Sequence, residues 1–333
     1  MTVVERRVAL GAAVGAGLAA GLIGTPAPAA AAPVPPGSPA PIRRTYLQQK
    51  ARAGGVWYSH VAIVDPAGVP QPIVEDDPDH VVHGYSVQKL AVATAVLDKV
   101  DRGELALADR VELTGDIILG GSGIYHLHGV WGDQITVANF LTAMLLVSDN
   151  TAVRLCGLVC PALEINEILA AKGFQHTRVE PVANPNRFFL GVTTPREMHD
   201  LLWRLATKTL LSPSACDFLL SITRWVNGYH DGIRRNMSST ERSRVATKYG
   251  AEEDETGAAR HEVGIMFGTD GTPVLTYAFF ADGLGDPGNY GATHPAVQAH
   301  AVLGRTMLDT VGTVTNPGAA RHVVPGYHPV DGV

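Results

Sequence analysis

Ser86-Val87-Gln88-Lys89 places a hydroxyl and an amine three residues apart, at the start of a stretch (Ser86 to Val100) without glycine or proline and apolar on most sides. Such a stretch reads as a buried helix. On a helix, residues i and i+3 share a face, so the Lys89 nitrogen can touch the Ser86 hydroxyl. A serine hydroxyl is a weak nucleophile until a neighbouring base takes its proton, and a helix start points its positive dipole end at developing negative charge. The pair alone equally describes a surface serine and lysine. Ser148-Asp149-Asn150 lies between two apolar helical stretches. Buried polar groups there need partners, and a cleft wall supplies a reason for them; an N-cap for the following helix is the plainer alternative. Lys248-Tyr249-Gly250-Ala251 lies in a β-rich run. A lysine there can attract an anion, a glycine admits a close backbone approach, and the next N–H can donate to an oxyanion.

The elements that must carry these residues follow from the pattern. Val56 to Asp65 mixes β-branched and aromatic residues and ends in a Pro-Ala-Gly turn, which predicts a strand. The acidic run Glu75-Asp76-Asp77 reads as a solvated loop. Thr136 to Val147, with Thr136 as N-cap, Asn150 to Val159, Ala162 to Lys172 (stopped by Gly173) and Glu197 to Ala206 read as helices. Arg244 to Gly250, His261 to Phe267 and Pro273 to Ala281 read as strands, the last two joined by the Thr269-Asp270-Gly271 turn. A helix from about Pro295 to Val311 closes the domain. One early strand and three late ones therefore share an antiparallel sheet built from both chain ends, with a helical lobe inserted: an α+β fold. The expected organisation is an α/β lobe from 43–84 and 229–315, an all-α lobe at 85–228, and a C-terminal tail at 316–333.

The order of the three motifs, S-x-x-K, then S-D-N about sixty residues on, then K-x-G about a hundred further, resembles that of class A β-lactamases and penicillin-binding proteins. The resemblance runs from about Trp57 to Met307, including Gly121 to Ala152, Val192 to Leu202 and Val245 to Phe280. It implies the β-lactamase/D,D-peptidase fold and an acyl-enzyme on Ser86. By that likeness Lys89 takes the serine proton, Ser148 passes a proton to the leaving nitrogen and Asn150 binds the substrate amide. Lys248 holds the substrate carboxylate, and the N–H groups of Ser86 and Ala251, with Gly250 between strand and substrate, form the oxyanion hole. Glu180 and Asn184, in Glu180-Pro181-Val182-Ala183-Asn184, stand in the order of the family's water-activating pair; a solvated loop carboxylate is the alternative for Glu180. The segment before Glu180 is short, and the Asp of the family's loop-pinning ion pair has no counterpart. Tyr249 replaces the family's small hydroxyl residue. Arg260, on the next strand, is read either as compensating for it at the substrate carboxylate or as a solvated edge-strand residue.

Composition limits the alternatives. Apolar residues make up 46% of the 333-residue chain, enough for a sizeable core, while charged residues make up 17% and the formal net charge is −6. Without a Lys/Arg block, no nucleic-acid partner is expected. Arg6 and Arg7, an apolar stretch from Val8 to Ile23 and the small residues Ala29 to Ala32 predict a signal peptide over 1–32, of either the general or the twin-arginine kind, and thus a secreted or periplasmic protein without a stable membrane partner. A Pro-rich linker is expected at 33–42. Cys156 and Cys160 can pair or remain buried thiols, as can Cys216 remain free. His126-Leu127-His128 lacks further ligands, and His261-Glu262 lacks the second histidine of a zinc-protease motif, so neither metal nor cofactor is expected. The expected partner is a small-molecule β-lactam or cell-wall-peptide-like substrate, and the expected state is a monomer. The competing activity on the same scaffold is a D,D-peptidase, esterase, amidase or transferase with slow deacylation.

Overall fold

The computed structural model describes residues 38–314; the signal peptide, the first half of the linker and the tail expected from the sequence lie outside them. Helix α1 (Ala40–Ala53) begins inside the expected linker. Pro41 occupies its first turn, where a missing N–H costs nothing, and Ile42 is fully buried. Strand β1 (Val56–Val64) is followed by β2 (Pro70–Asp76), which corrects the reading of the acidic run as a loop and makes two early strands rather than one. β2 is an edge strand, the position that tolerates Pro70 and Pro72. Its charges are engaged: Asp76 accepts from the Tyr46 hydroxyl at 2.5 Å and from Lys50, both on α1.

β3 (Val82–His83) leads into a 3-10 turn at Tyr85–Gln88 and helix α2 (Lys89–Asp101). Then come β4 (Arg110–Glu112), β5 (Gln134–Thr136), α3 (Val137–Leu146), α4 (Asn150–Val159) and α5 (Ala162–Ala171). β6 (Arg178–Pro181) and β7 (Phe188–Thr193) precede α6 (Pro195–Ala206) and α7 (Pro213–Thr223). The stretch 85–228 is therefore helical but not all-α: it carries a β4–β5 ladder and contributes β6 and β7 to a sheet of order β3-β7-β6. α8 (Ser239–Arg242), β8 (Val245–Asp254), β9 (Gly257–Phe267), β10 (Pro273–Asp282) and α9 (Pro295–Val314) complete the described chain.

The main sheet has the order β2-β1-β10-β9-β8, antiparallel throughout, so strands from both ends of the described chain share it. One face packs Trp57, Tyr277 and Phe279 against Ile42 of α1 and Met307 of α9. The other packs Ala246, Val263, Ile265 and Phe280 against Leu90, Leu201 and Leu219 of the helical lobe. With both faces covered, β9 and β10 are buried almost end to end, as the near-continuous apolar run of β10 requires; β9 buries Arg260, His261 and Glu262 in its middle. Each large apolar side chain so buried is worth about 1.5–3 kcal/mol. That anchoring fixes β8, whose register pairs Lys248 with Val263 and Gly250 with His261, along the side of the helical lobe.

Candidate active site

Ser86 lies in the 3-10 turn that opens α2, partly exposed at a cleft of about 1010 Å³. Its neighbour Tyr85 has φ of +43°, a conformation that a bulky residue adopts only when its surroundings impose it. The surroundings are visible. The buried Gln88 amide donates to the carbonyls of Val192 (2.6 Å) and Arg178 (3.2 Å), clamping the turn to β7 and β6.

One turn on from Ser86, Lys89 is fully buried, and its ammonium nitrogen donates to the Ser148 carbonyl (2.6 Å), the Ser148 hydroxyl (3.1 Å) and the Asn150 side-chain oxygen (2.7 Å). Its hydrogen bonds among the described residues thus go to the S-D-N turn rather than to Ser86. Lys248, equally buried on β8, donates to the same Ser148 hydroxyl (3.0 Å) and to the Tyr249 carbonyl (2.8 Å). Two lysines in so little water cannot both hold full charge cheaply. Burial pushes Lys89 down to about 7, against the pull of the Asp149 carboxylate. Burial, and then the charge of Lys89, hold Lys248 well below its ordinary range. Both amines are thus held toward the neutral, proton-accepting form and are joined by a serine hydroxyl.

The S-D-N turn is built for this. Ser148 sits at φ +56°, which directs its hydroxyl between the lysines. Asp149 is the N-cap of α4: its buried carboxylate accepts from the backbone of Ala152 (2.9 Å), Ile124 (2.6 Å) and Tyr125 (2.9 Å). The loop comes this close because Gly123 (φ +100°) has no Cβ, which would stand 2.2 Å from the Asp149 carboxylate. Asn150 gives its amide N–H to the Gly120 carbonyl (3.0 Å).

On the other wall, Gly250 brings β8 against the start of the Ser86 turn: a Cβ there would lie 3.0 Å from the Val87 nitrogen and 3.2 Å from the Ser86 nitrogen. Ala251 lines the cleft beside it. Tyr249 folds its ring over Lys248, with the ammonium 4.4 Å from the ring centroid, and stacks on Tyr229 at 4.0 Å. Its hydroxyl is directed toward Ser122 and Ser148, and burial raises its pKa. Arg260 takes neither of its expected places. It is 2% exposed and gives its guanidinium N–H groups to the carbonyls of Glu252, Ala259, Pro287 and Asn289, at 2.7–3.2 Å.

Glu180 lines the same cleft as Ser86, on β6, with 44% of its side chain exposed and His83 at 4.0 Å. Asn184 does not join it: its side chain closes the turn to β7 by accepting from the Asn186 N–H (3.0 Å), and Asn186 faces the cleft. The segment before Glu180 is pinned by residues the sequence reading missed. The Glu197 carboxylate accepts from the N–H groups of Gln175 (2.7 Å), His176 (3.0 Å) and Thr177 (2.7 Å) and from the Thr177 hydroxyl (2.6 Å). Asn166 pairs with both backbone groups of Val179. The signal for Glu197 was its place as the third residue after the N-cap Thr194. Gln88, buried one residue before Lys89, and Tyr229 were also missed. Cys156, Cys160 and Cys216 are all free and buried. Among the described residues no cluster of three or more His, Cys, Asp or Glu is placed to hold a metal ion, and no helix is long and apolar enough to cross a membrane.

A serine at a helix start, a depressed lysine and a hydroxyl bridging two amines, on this sheet and helical lobe, define a serine hydrolase of the β-lactamase type. The chain belongs to the beta-lactamase enzyme family, whose sequence profile matches residues 44–311. No curated protein matches it in sequence. Among solved structures, it is similar to a β-lactamase from Sphaerobacter thermophilus, with a TM-score of 0.66 and 20% identity over 84% of this chain and 100% of that one. A β-lactamase from Chitinophaga pinensis gives 0.68 and 20% over 81% and 99%, and an ancestral class A β-lactamase 0.63 and 20% over 80% and 99%.

Proposed function

We propose that the protein opens β-lactam rings through an acyl-enzyme on Ser86. The Ser86 oxygen attacks the lactam carbonyl carbon while its proton passes to the neutral amine of Lys89. The N–H groups of Ser86 and Ala251 receive the developing oxyanion. The C–N bond then breaks, and the Ser148 hydroxyl delivers a proton to the leaving nitrogen, itself reprotonated from the lysines. Water, deprotonated by Glu180, attacks the ester, releases the ring-opened acid and restores Ser86. Asn150, in this reading, contacts the substrate amide. The observation that carries the proposal is the Ser148 hydroxyl held at 3.1 Å from Lys89 and 3.0 Å from Lys248 beside a cleft-lining serine, a ready path for a proton between nucleophile and leaving group.

A second reading, an acyl-enzyme that deacylates slowly as in a D,D-peptidase, draws on Asn184. Its side chain is committed to a turn, so Glu180 lacks the partner expected to help it hold a water. We also infer that the chain is exported by the segment 1–32 and acts as a monomer. The test of function is Ser86-dependent turnover of a chromogenic cephalosporin, run beside labelling by a fluorescent penicillin and a Ser86→Ala control. Fast turnover supports the hydrolase; stable labelling without turnover supports the second reading; neither signal overturns both for β-lactams.

A further inference from the structure

The wall of the cleft beyond the S-D-N turn carries two arginines that the acyl-transfer chemistry leaves unused. α4 runs away from Asn150, and the 116–120 loop lies against it rung by rung. Asn150 donates to the Gly120 carbonyl (3.0 Å), the Thr151 hydroxyl bonds both backbone groups of Leu119 (2.9 and 3.1 Å), and the Arg154 guanidinium donates to the Ile118 carbonyl (2.9 Å). Arg154 thus lies one turn beyond Asn150 on the same face, about 6 Å along the axis. Close to one turn further, Gly157 lets the turn ahead of β7 touch the helix: a Cβ there would stand 2.2 Å from the Asn186 carbonyl oxygen. This packing brings Arg187 into the neighbourhood of Arg154, and both line the cleft with Ser86 and Asn150.

The protein leaves both arginines with donors to spare. A guanidinium has five N–H groups. Among the described residues those of Arg154 find one acceptor, the Ile118 carbonyl, and form no ion pair. Arg187 reaches Asp116 at long range, the carbonyl at 3.3 Å and the largely exposed carboxylate at 3.6 Å, while its Nη1 is buried without a hydrogen-bond partner. Burial, and then the charge of Arg187, lower the Arg154 pKa, so the two cations oppose each other. A carboxylate placed between them relieves that repulsion, supplies acceptors to unmet donors and fits the planar fork of a guanidinium. The cleft's own carboxylates, Glu180, Asp231 and Glu252, lie on β6, ahead of α8 and on β8, and among the described residues none forms an ion pair with either arginine. Leu119, Val153 and Phe188 give this part of the cleft apolar surface on which a hydrocarbon chain can lie.

We propose that Arg154 and Arg187 form an anion site for the acyl side chain of the substrate, so that the protein prefers β-lactams whose side chain ends in a carboxylate beyond the amide that Asn150 contacts. This rests on Ser86 opening the lactam ring and on Asn150 meeting that amide. The two arginines touch no reacting atom; they determine specificity.

The test uses three cephalosporins that share one nucleus and differ only in the 7-amide: glutaryl, its neutral isostere 5-methylhexanoyl, and 5-aminopentanoyl. The nucleus carboxylate is common to all three, so the comparison reads the side chain alone, and Ser86→Ala is the blank. The expected result is a kcat/KM for the glutaryl compound on the order of tenfold above its neutral isostere, with the aminopentanoyl compound slowest and the differences shrinking as salt is added. In Arg154→Gln and in Arg187→Gln the glutaryl-to-neutral ratio falls toward one, a readout that a general loss of folding, which slows all three alike, does not move. Arg154→Lys, which keeps the charge without the fork, retains part of the ratio. Ser86-dependent opening with a wild-type ratio of one or less, or a ratio that both glutamine variants keep, overturns the proposal and leaves the acyl-enzyme intact. Absence of Ser86-dependent opening with all three overturns the β-lactam reading and this inference with it.

Discussion

Replacing Ser148 separates the chemistry of its hydroxyl from the strain of its backbone. Ser148→Ala removes an acceptor shared by two buried lysines at 3.1 and 3.0 Å. Hydrogen bonds to charged groups are worth about 1.5–3 kcal/mol each. A water filling the vacated space recovers part of that, leaving a loss of about 2–3 kcal/mol. Ser148→Gly loses the same bonds but relieves the left-handed backbone at φ +56°. That relief of about 1–2 kcal/mol, less about 0.4–1 kcal/mol for the greater freedom of glycine in the unfolded chain, puts the glycine variant ahead of alanine by about 0.5–1 kcal/mol. Both variants lack the proton relay and acylate about 10²–10⁴-fold more slowly. Urea denaturation gives the stabilities, and stopped-flow mixing with a chromogenic cephalosporin gives the acylation rates. The expected pattern is unequal stability with equally poor acylation. If the alanine variant matches the wild type in stability, the hydroxyl is not holding the two buried amines in place. If either variant acylates within about threefold of wild type, the relay assigned to Ser148 is wrong.

Acylation increases with pH through a midpoint near the Lys89 value of about 7 and levels off above it, because only the neutral amine accepts the Ser86 proton; a pre-steady-state profile flat from pH 5 to 9 contradicts this assignment. Gly250→Ala, whose Cβ meets the Val87 and Ser86 nitrogens at 3.0 and 3.2 Å, displaces the oxyanion donors and lowers kcat/KM by about 10²-fold, while thermal unfolding detects only a small change. Glu197→Gln weakens the anchor of the segment before Glu180, costs about 2 kcal/mol of stability by urea titration, and slows deacylation more than acylation in burst kinetics. Burial raises the Glu262 carboxyl from 4.5 to about 7, so the native state holds a proton there that the unfolded chain releases. Its contribution is fully present below about pH 4.5 and is lost as pH rises through 7, worth up to about 3 kcal/mol; the urea midpoint difference between wild type and Glu262→Gln tracks that loss if the assignment holds.

Much of the fold was legible because its elements advertise themselves locally. Asn150–Val159 has the bounds its sequence pattern implies, and Thr136 caps α3 as expected, its hydroxyl accepting from the Asn139 N–H. The misses share a cause. β2 is polar and contains two prolines, so nothing local distinguishes it from a loop; it is a strand because β1 offers a free edge and α1 offers partners for Asp76. The start of α1 was read as linker because Pro41 signals a break in most contexts and fits a helix only in its first turn. In each case tertiary contact decided a state that propensity left open.

The catalytic centre and the substrate side of the cleft differ in legibility for a related reason. Ser86, Lys89, Ser148 and Asn150 meet through short-range geometry: one helical turn joins the first pair, and one helix start holds the second. Spacing displays such geometry directly. The substrate side depends on where long side chains point. Tyr249 stands in place of a small hydroxyl residue, and its own hydroxyl is directed toward Ser122 and Ser148, beside the proton path. The ring, meanwhile, covers Lys248 and offsets part of the cost of burying that amine, since such a contact is worth about 0.5–2 kcal/mol. Arg260 had the right strand for a substrate contact but is directed to the carbonyls of the Pro287–Asn289 loop. Tyr249 on β8 thus covers the Lys248 amine while leaving the acyl-transfer groups in their places.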